Sequence, residues 1–94
     1  MSDFPVIDLV ATGKNIKRLR KKSGLTVGDL QRYFGFTTPQ AIYKWQRGQS
    51  LPSVDHLFAM SRLFKVSMQD ILIEEDQDLV FLSNRKILFG GIVG

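Results

Sequence analysis

The basic side chains of this sequence are concentrated in its middle. Residues 14–50 contain nine Lys or Arg and a single acid, Asp29, whereas residues 1–13 and 73–94 are net acidic. The 94 residues together carry a net charge of +4. A positive segment between acidic ends is typical of proteins that bind polyanions. A solvated basic surface with no partner explains the charge pattern about equally well.

Few residues of the sequence suggest catalysis or metal binding. Ser53, Asp55 and His56 are residue types of a catalytic triad, but they are nearly adjacent at the start of a predicted helix. We therefore interpret Ser53 as a helix cap and His56 as an exposed helix residue. The acidic residues 74–78 lack the Gly and terminal Glu of a calcium loop. With no Cys and one His in the chain, we expect no metal site, no cofactor and no enzyme activity.

The length fits one small domain. No run approaches the roughly 18–20 apolar residues of a membrane span, and the N-terminus carries acids before any basic residue, unlike a secretory signal. These features predict a cytoplasmic protein that does not enter a membrane.

Capping residues and apolar periodicity predict five short helices. The first begins after Asp8, or alternatively after Thr12, and ends at Lys22. Gly13 costs helix propensity there but permits another element to approach closely. The inward side of this helix is predicted to contain Leu9, Gly13, Ile16, Leu19 and Arg20.

The second and third helices are predicted to pack as a pair. The second begins at the cap Thr26 and stops at Gly35, and the third runs from about Pro39 to Arg47 with Thr38 as its cap. The third helix has one apolar side and one polar side, which indicates an amphipathic surface helix. Its inward side carries Ala41, Ile42 and Trp45, and its outward side carries Gln40, Tyr43, Lys44 and Arg47.

Two further helices follow. Ser53 caps a helix over residues 54–64, and Ser67 with Asp70 forms a capping-box start for the last one. The fourth helix is predicted to direct Leu57, Met60, Ser61 and Phe64 inward. Residues 1–7 are expected to be an extended arm because Pro5 disfavours helix before it. The apolar runs 79–82 and 87–89 favour a β-hairpin, with a last helix as the alternative.

A series of apolar, glycine and capping residues recurs in a specific order along the chain: Ile16, Leu19-Arg20, Gly24-Leu25-Thr26, Leu30, Gly35-Phe36, Ile42, Trp45-Gln46, Gly48, Pro52, Leu57, Met60-Ser61, Phe64, Val66-Ser67 and Leu72. With this order the chain resembles the phage-repressor-like (Cro/cI or XRE-type) helix-turn-helix family over about residues 8–72. The resemblance implies an all-α, five-helix DNA-binding domain between an arm, residues 1–7, and a tail, residues 73–94. The large apolar residues of the tail favour dimerisation through it, with packing on its own domain as the alternative.

The chain departs from the family pattern at three places. The stretch from Gly35 to Gly48 is one residue longer than is usual. Gln31 stands where relatives commonly carry Ala, and its larger side chain suits a turn opened by one residue. The second helix begins Thr26-Val27-Gly28, where relatives often place a Gln that reaches DNA, so that contact is not implied here.

The resemblance implies that the third helix reads base edges in the major groove of double-stranded DNA. Pro39, Gln40, Tyr43 and Lys44 are the base-contact candidates. Gln40 suits adenine and Lys44 suits guanine, whereas Pro39 can touch a thymine methyl. The phosphate-contact candidates are Lys17, Lys21, Lys22, Val27, Gly28, Arg47, Gln49 and Ser50.

Three residues are expected to be structural. The resemblance predicts a hydrogen bond between Arg20 and Gln46 beneath the helix pair, and it would be weaker than the Arg–Glu pair of many relatives. Trp45 is interpreted as a core residue because it shares a side with Ile42.

The predicted function is that of a sequence-specific DNA-binding regulator, a repressor acting as a homodimer in a bacterial or phage cytoplasm at the nucleoid. The alternative is a protein-interaction module, such as the antitoxin of a toxin–antitoxin pair, with residues 79–94 contacting a protein partner.

Overall fold

The computed structural model describes residues 4–75, and this part of the chain is all-α, as predicted. Its five helices are α1 (Leu9–Lys22), α2 (Val27–Phe34), α3 (Gln40–Gln46), α4 (Val54–Phe64) and α5 (Met68–Ile71). The hairpin predicted within residues 79–89 lies outside the described residues. Within the described range, no helix has the length and apolar content needed to cross a bilayer.

Short polar side chains set the helix starts. Asp8 Oδ1 accepts a hydrogen bond from Ala11 N at 2.9 Å, so α1 begins where the first alternative placed it and not at Thr12. Ser53 caps α4, and Ser67 with Asp70 closes a capping box on α5. These caps satisfy backbone N–H groups that have no acceptor within the helix.

The start of α3 differs from the prediction. Pro39, and not Thr38, occupies the cap position, and no side chain caps this helix. The Thr38 hydroxyl lies 3.5 Å from Gln40 N, which is too long for an effective cap. Pro39 suits this place because its carbonyl accepts from Tyr43 N at 3.1 Å and its ring nitrogen needs no acceptor.

A single core joins all five helices. It consists of Ile16, Leu19, Leu30, Ile42, Trp45, Leu57, Met60, Phe64 and Ile71. All four residues predicted to face inward from α4 are buried, Ser61 among them. Leu9 was wrongly predicted to be buried and is 40% exposed.

Two polar residues of α1, Thr12 and Asn15, are buried, whereas Leu9 is exposed. Both lie on the inner face of α1 and bond to the chain around and after α5. Asn15 Nδ2 donates to Asp70 O at 2.8 Å and to Ile71 O at 3.1 Å. The Thr12 hydroxyl accepts from Ile73 N at 2.8 Å. These bonds offset the cost of burying polar side chains.

The arm predicted for residues 1–7 pairs, over its last residues, with the segment that follows α5. Asp8 N donates to Ile73 O at 2.7 Å, and Glu75 N donates to Val6 O at 2.6 Å. Ile7 and Glu74 form an antiparallel bridge between them. The folded unit therefore includes backbone from both sides of the predicted domain, residues 8–72.

Glycine permits the close packing of α1 on α3. A Cβ atom on Gly13 would collide with Trp45 O and would lie 2.7 Å from Gln46 O. Gly48, with a φ of 73°, lies so close to α1 that a Cβ atom there would be 2.7 Å from Val10 Cα. The expected role of Gly13 as a point of close approach is therefore confirmed.

Candidate nucleic-acid interface

The turn between α2 and α3 is held by a side chain of α2. Gly35 ends α2 in the left-handed region with a φ of 72°. Gln31 Nε2 then donates to Phe36 O at 3.3 Å, across the turn. An alanine at this position could not make that bond. The Gln31 side chain therefore links the end of α2 to the turn before α3.

An aromatic cluster supports the turn from below. Phe34, Phe36 and Trp45 contact one another with ring centroids 5.3 to 5.9 Å apart. His56 of α4 joins them, with its ring 5.1 Å from the Phe34 and Phe36 rings and 5.6 Å from that of Trp45. Four of these six contacts are edge-to-face, one of the arrangements that aromatic pairs prefer. The helix pair is therefore braced against α4.

The prediction that His56 is exposed is thus wrong. Its ring is half-buried in the aromatic cluster, and its Nδ1 lies 3.1 Å from the Ser53 hydroxyl. Ser53 also accepts from His56 N, as a helix cap does. The placement depends on aromatic residues that are 11 to 22 positions away in the chain, so α4 alone carries no signal for it.

The two sides of α3 differ sharply in exposure. Ile42 is completely buried and Trp45 is 5% exposed. On the opposite side, Gln40, Tyr43, Lys44 and the following Arg47 are exposed, and Pro39 at the start is half-buried. Of the candidate base-contact residues, Gln40, Tyr43 and Lys44 are therefore exposed on the side of α3 opposite the core, and Pro39 lies half-buried at its start.

Arg20 holds together the segments that carry the phosphate candidates. Its Nε donates to Gln46 Oε1 at 3.0 Å, which is the hydrogen bond expected from the sequence, and its Nη1 donates to Leu25 O at 2.7 Å. One buried guanidinium thus joins the last turn of α1, the end of α3 and the chain entering α2. Lys21 is its neighbour in sequence, Arg47 follows Gln46, and Val27 lies two residues after Leu25.

The remaining phosphate candidates lie on the same three segments. Lys17 and Lys22 are exposed on α1, Gly28 is half-buried in the first turn of α2, and Gln49 and Ser50 are exposed after α3. The backbone N–H of Gln49 already donates to Lys44 O at 2.9 Å. Gln49 can therefore offer a ligand its side chain but not its amide hydrogen.

The start of α2 carries an acid, Asp29, that completes a capping box with Thr26. Asp29 Oδ2 accepts from Thr26 N at 2.8 Å, and the Thr26 hydroxyl accepts from Asp29 N at 3.0 Å. Hydrogen bonds from Thr26 and the nearby Arg32 charge hold the pKa of Asp29 below its ordinary value. This carboxylate lies close to Val27 and Gly28, two of the phosphate-contact candidates, and its charge opposes an anion there. Arg32, 2.6 Å from Asp29, offsets part of that repulsion.

One exposed cation of α1 is also positioned by a side chain. Arg18 donates through Nε and Nη2 to Asn15 Oδ1, at 3.1 and 2.8 Å. Asn15 is fixed in turn by its bonds to the carbonyls at the end of α5. The polar residue buried in α1 therefore holds Arg18 in place, a role that the charge pattern alone does not reveal.

Comparisons with known proteins agree with this geometry. The helix-turn-helix family model matches residues 16–71, more than half of the chain. No curated protein matches the sequence. The described helices, their order and the position of the turn are those that a helix-turn-helix domain requires.

Several solved structures share the fold. C.AhdI, a restriction-modification controller protein from Aeromonas hydrophila, has a TM-score of 0.60 at 22% identity, over 68% of this chain and 96% of that chain. The clp gene regulator ClgR from C. glutamicum has a TM-score of 0.56 at 21% identity, over 66% and 79% of the two chains. The BldD DNA-binding domain of S. venezulae has a TM-score of 0.58 at 17% identity, over 69% and 96%. The chain therefore belongs to the XRE-type helix-turn-helix family, whose members are DNA-binding regulators of transcription.

Proposed function

We propose that this protein binds double-stranded DNA at specific sequences and represses transcription. The observation that carries the proposal is the exposed polar face of α3, opposite the buried Ile42 and Trp45, within a matched helix-turn-helix. An exposed, braced helix of this kind fits the major groove, which displays a distinct pattern for each base pair.

In this proposal, the N-terminal part of α3 reads the bases. Gln40 pairs with adenine through its amide, and Lys44 donates to guanine O6 or N7. Pro39 contacts a thymine methyl, and Tyr43 contacts a neighbouring base or phosphate. Gln40 and Lys44 lie four residues apart and therefore on the same side of the helix.

The surrounding cations supply affinity without sequence preference. Arg47 with Gln49 and Ser50 contacts the backbone at one end of α3, and the α1 lysines Lys17, Lys21 and Lys22 contact it beside them. The backbone N–H groups of Val27 and Gly28 donate hydrogen bonds to a further phosphate at the start of α2. Neutralising phosphates releases bound counterions, so binding should weaken steeply as salt rises.

One α3 helix covers one half-site, so we propose that the active form is a homodimer on two half-sites about one DNA turn apart. α3 has seven residues and is about 10 Å long at 1.5 Å per residue. A helix of this length reaches only a few base pairs. The DNA-binding unit is proposed to span residues 8–72, with the backbone pairing of residues 6–8 and 73–75 closing it.

Fluorescence anisotropy tests the proposal. Labelled duplexes from upstream of the protein's own gene, and a shuffled duplex of the same composition, would be titrated at several salt concentrations. Tight binding to the upstream duplex that is lost in the Gln40→Ala/Lys44→Ala double variant supports the proposal. Weak binding that does not distinguish the duplexes contradicts it and favours the protein-interaction module.

The matched control is Arg62→Ala. Arg62 is an exposed cation of α4 whose guanidinium lies 4.9 Å from the Phe58 ring. The Arg62→Ala substitution removes one positive charge but leaves α3 unchanged. This variant should bind the upstream duplex as the unmodified protein does, apart from a small loss due to net charge.

A further inference from the structure

One side chain of α4 contacts all three segments of the helix-turn-helix. The centroid of the His56 ring lies 5.1 Å from that of Phe34, at the end of α2, and 5.1 Å from that of Phe36, in the turn. It lies 5.6 Å from the centroid of Trp45, which is buried in α3. Rings at such distances attract one another. A single ring therefore links α2, the turn and α3 to α4.

The His56 ring is itself held in place by the start of α4. Its Nδ1 lies 3.1 Å from the Ser53 hydroxyl, the same group that accepts a hydrogen bond from His56 N. The carbonyl of Ser53 accepts from Leu57 N at 2.8 Å, and Leu57 belongs to the core. The rings of the helix pair therefore pack against a side chain whose position is fixed by α4.

The two ends of α3 are held by different means. At the C-terminal end, Gln46 accepts a hydrogen bond from the buried Arg20. At the N-terminal end, no side chain caps the helix. The turn that leads into this end is held by the hydrogen bond from Gln31 to Phe36 and by the packing of Phe36 on His56. The orientation of the N-terminal end therefore depends on the ring cluster.

The residues proposed to read bases are carried by the part of α3 that this cluster holds. Gln40 begins the helix, and Lys44 precedes Trp45, whose ring packs against His56. Because α3 is one short helix, a shift of Trp45 or of the turn moves Gln40 and Lys44 together. Binding sites need their contacts placed within about 0.5 Å. A small displacement of the cluster is therefore enough to alter the fit of both side chains to a base pair.

We propose that His56 is a positioning residue for base recognition. Its ring sets the orientation of the N-terminal end of α3, and through it the fit of Gln40 and Lys44 to the major groove, without contacting DNA. This inference rests on the proposed function, because it requires that α3 reads base pairs. It places a determinant of sequence preference on α4, outside the helix pair.

A ratio of affinities separates positioning from stability. Fluorescence anisotropy would measure binding to the preferred duplex and to a duplex with one base pair changed in the half-site. A loss of stability lowers the folded fraction and weakens binding to both duplexes by the same factor, so the ratio stays constant. A displaced α3 changes the ratio. A mismatched base pair typically lowers affinity about 5- to 150-fold, and His56→Ala should reduce this discrimination by about threefold or more.

Two further variants accompany His56→Ala. His56→Phe keeps a ring but loses the contact with Ser53, and it should hold the ratio within about twofold of that of the unmodified protein. Leu63→Ala is the matched control, because Leu63 is half-buried against the core, seven residues and about 10 Å further along the same side of α4. It should lower the stability of the domain but leave the ratio unchanged.

Trp45 provides a second measurement. It is the single Trp of the chain, so the fluorescence of the folded protein reports on the ring cluster. His56→Ala should shift the emission maximum, and Leu63→Ala should not. An unmoved maximum in His56→Ala would contradict the ring contact on which the inference depends.

An unchanged ratio in His56→Ala would overturn the inference, as would an equal change in Leu63→Ala or a failure of His56→Phe to preserve the ratio. In each of these cases the unmodified protein still distinguishes the two duplexes, and the proposed function stands. An unmodified protein that does not distinguish them contradicts the proposed function, and the inference about His56 falls with it.

Discussion

Arg20 and Gln46 join α1 to the end of α3 through a single hydrogen bond of 3.0 Å in which Arg20 Nε is the donor. Arg20 is 8% exposed, and the one salt bridge among the described residues is that of Arg32 with Asp29. The buried guanidinium therefore has two neutral acceptors, Gln46 Oε1 and Leu25 O, and no paired acid. A carboxylate in place of one of these neutral acceptors would give Arg20 a stronger, charge-assisted hydrogen bond.

We expect Gln46→Glu to stabilise the domain. The carboxylate would give Arg20 a charge-assisted bond in place of a neutral acceptor, which should raise the free energy of unfolding by about 1 kcal/mol near pH 7. Urea denaturation measures the change. The paired Glu would have a lowered pKa, so the gain should be present above about pH 4.3 and disappear as the pH falls through the lowered value.

The control for this prediction is the same substitution in an Arg20→Gln background. The gain should be absent there because the cation is missing. A loss of stability from Gln46→Glu in the unmodified chain, or an equal gain in both backgrounds, would contradict the interpretation of this hydrogen bond.

Gly13 and Gly28 offer a matched pair of glycine substitutions. At Gly13, a Cβ atom would collide with the backbone of Trp45 and Gln46, so Gly13→Ala should destabilise the domain by about 1–3 kcal/mol through overpacking. At Gly28, the nearest atoms to a Cβ are side-chain atoms at 3.6 and 3.7 Å. Gly28→Ala should therefore stabilise the domain by about 0.5–1 kcal/mol through helix propensity. Thermal denaturation of both variants measures whether each substitution raises or lowers the stability. A Gly13→Ala variant as stable as the unmodified protein would contradict the close packing of α1 on α3.

The lowered pKa of Asp29 predicts a pH-dependent contribution to stability. The folded state favours its carboxylate, chiefly through hydrogen bonds with Thr26 and then through the Arg32 charge. The contribution is therefore complete above the ordinary value of 3.8 and is lost as the pH falls through the lowered pKa. Asp29→Asn should be less stable than the unmodified protein at pH 7, and the difference should vanish in strong acid.

The Arg32→Gln substitution separates the contribution of the Arg32 charge from that of the hydrogen bonds between Asp29 and Thr26. It removes the exposed ion pair but leaves the capping box, and solvent screening makes the contribution of an exposed ion pair to stability small. Denaturation between pH 2 and 7 should therefore show a smaller loss for Arg32→Gln than for Asp29→Asn. Equal losses would mean that the ion pair and not the cap dominates.

The Thr12 hydroxyl is expected to hold the backbone after α5. Thr12→Val keeps the shape of this buried side chain but removes the acceptor for Ile73 N, which should cost about 1–3 kcal/mol. Hydrogen exchange at Ile73 should accelerate more than exchange in α4. Thr37→Val, in the exposed turn before α3, is the control and should leave Ile73 unchanged. Unaltered exchange in Thr12→Val would show that the bond contributes little.

Base and phosphate contacts should respond differently to substitution. Gln40→Ala should cost about 1–3 kcal/mol on the preferred duplex and relax the preference at one base pair. Arg47→Ala should weaken binding to all duplexes alike and reduce the salt slope by about 1. Anisotropy on a set of single-base-pair variants measures both effects. If Gln40→Ala weakens all duplexes equally, its assignment as a base contact is wrong.

The helices themselves follow from local sequence. Asp8, Thr26, Ser53 and Ser67 each cap a helix that begins at the next residue. The four inward residues of α4 and the two sides of α3 were also predicted correctly. These features depend on hydrogen bonds within one turn and on the helical period, so the signals lie within a few residues of one another.

Other features depend on partners far away in the chain. Thr12 and Asn15 are buried because carbonyl and amide groups more than 50 residues later satisfy them, and His56 is half-buried because α2, the turn and α3 bring three aromatic rings to it. The pairing of Ile7 with Glu74 likewise joins two segments that separately read as an arm and a tail. The sequence by itself determined which residues form helices and which side of α3 is polar. Only the tertiary structure decided that Thr12 and Asn15 are buried, because their burial is favourable only where distant groups complete the hydrogen bonds.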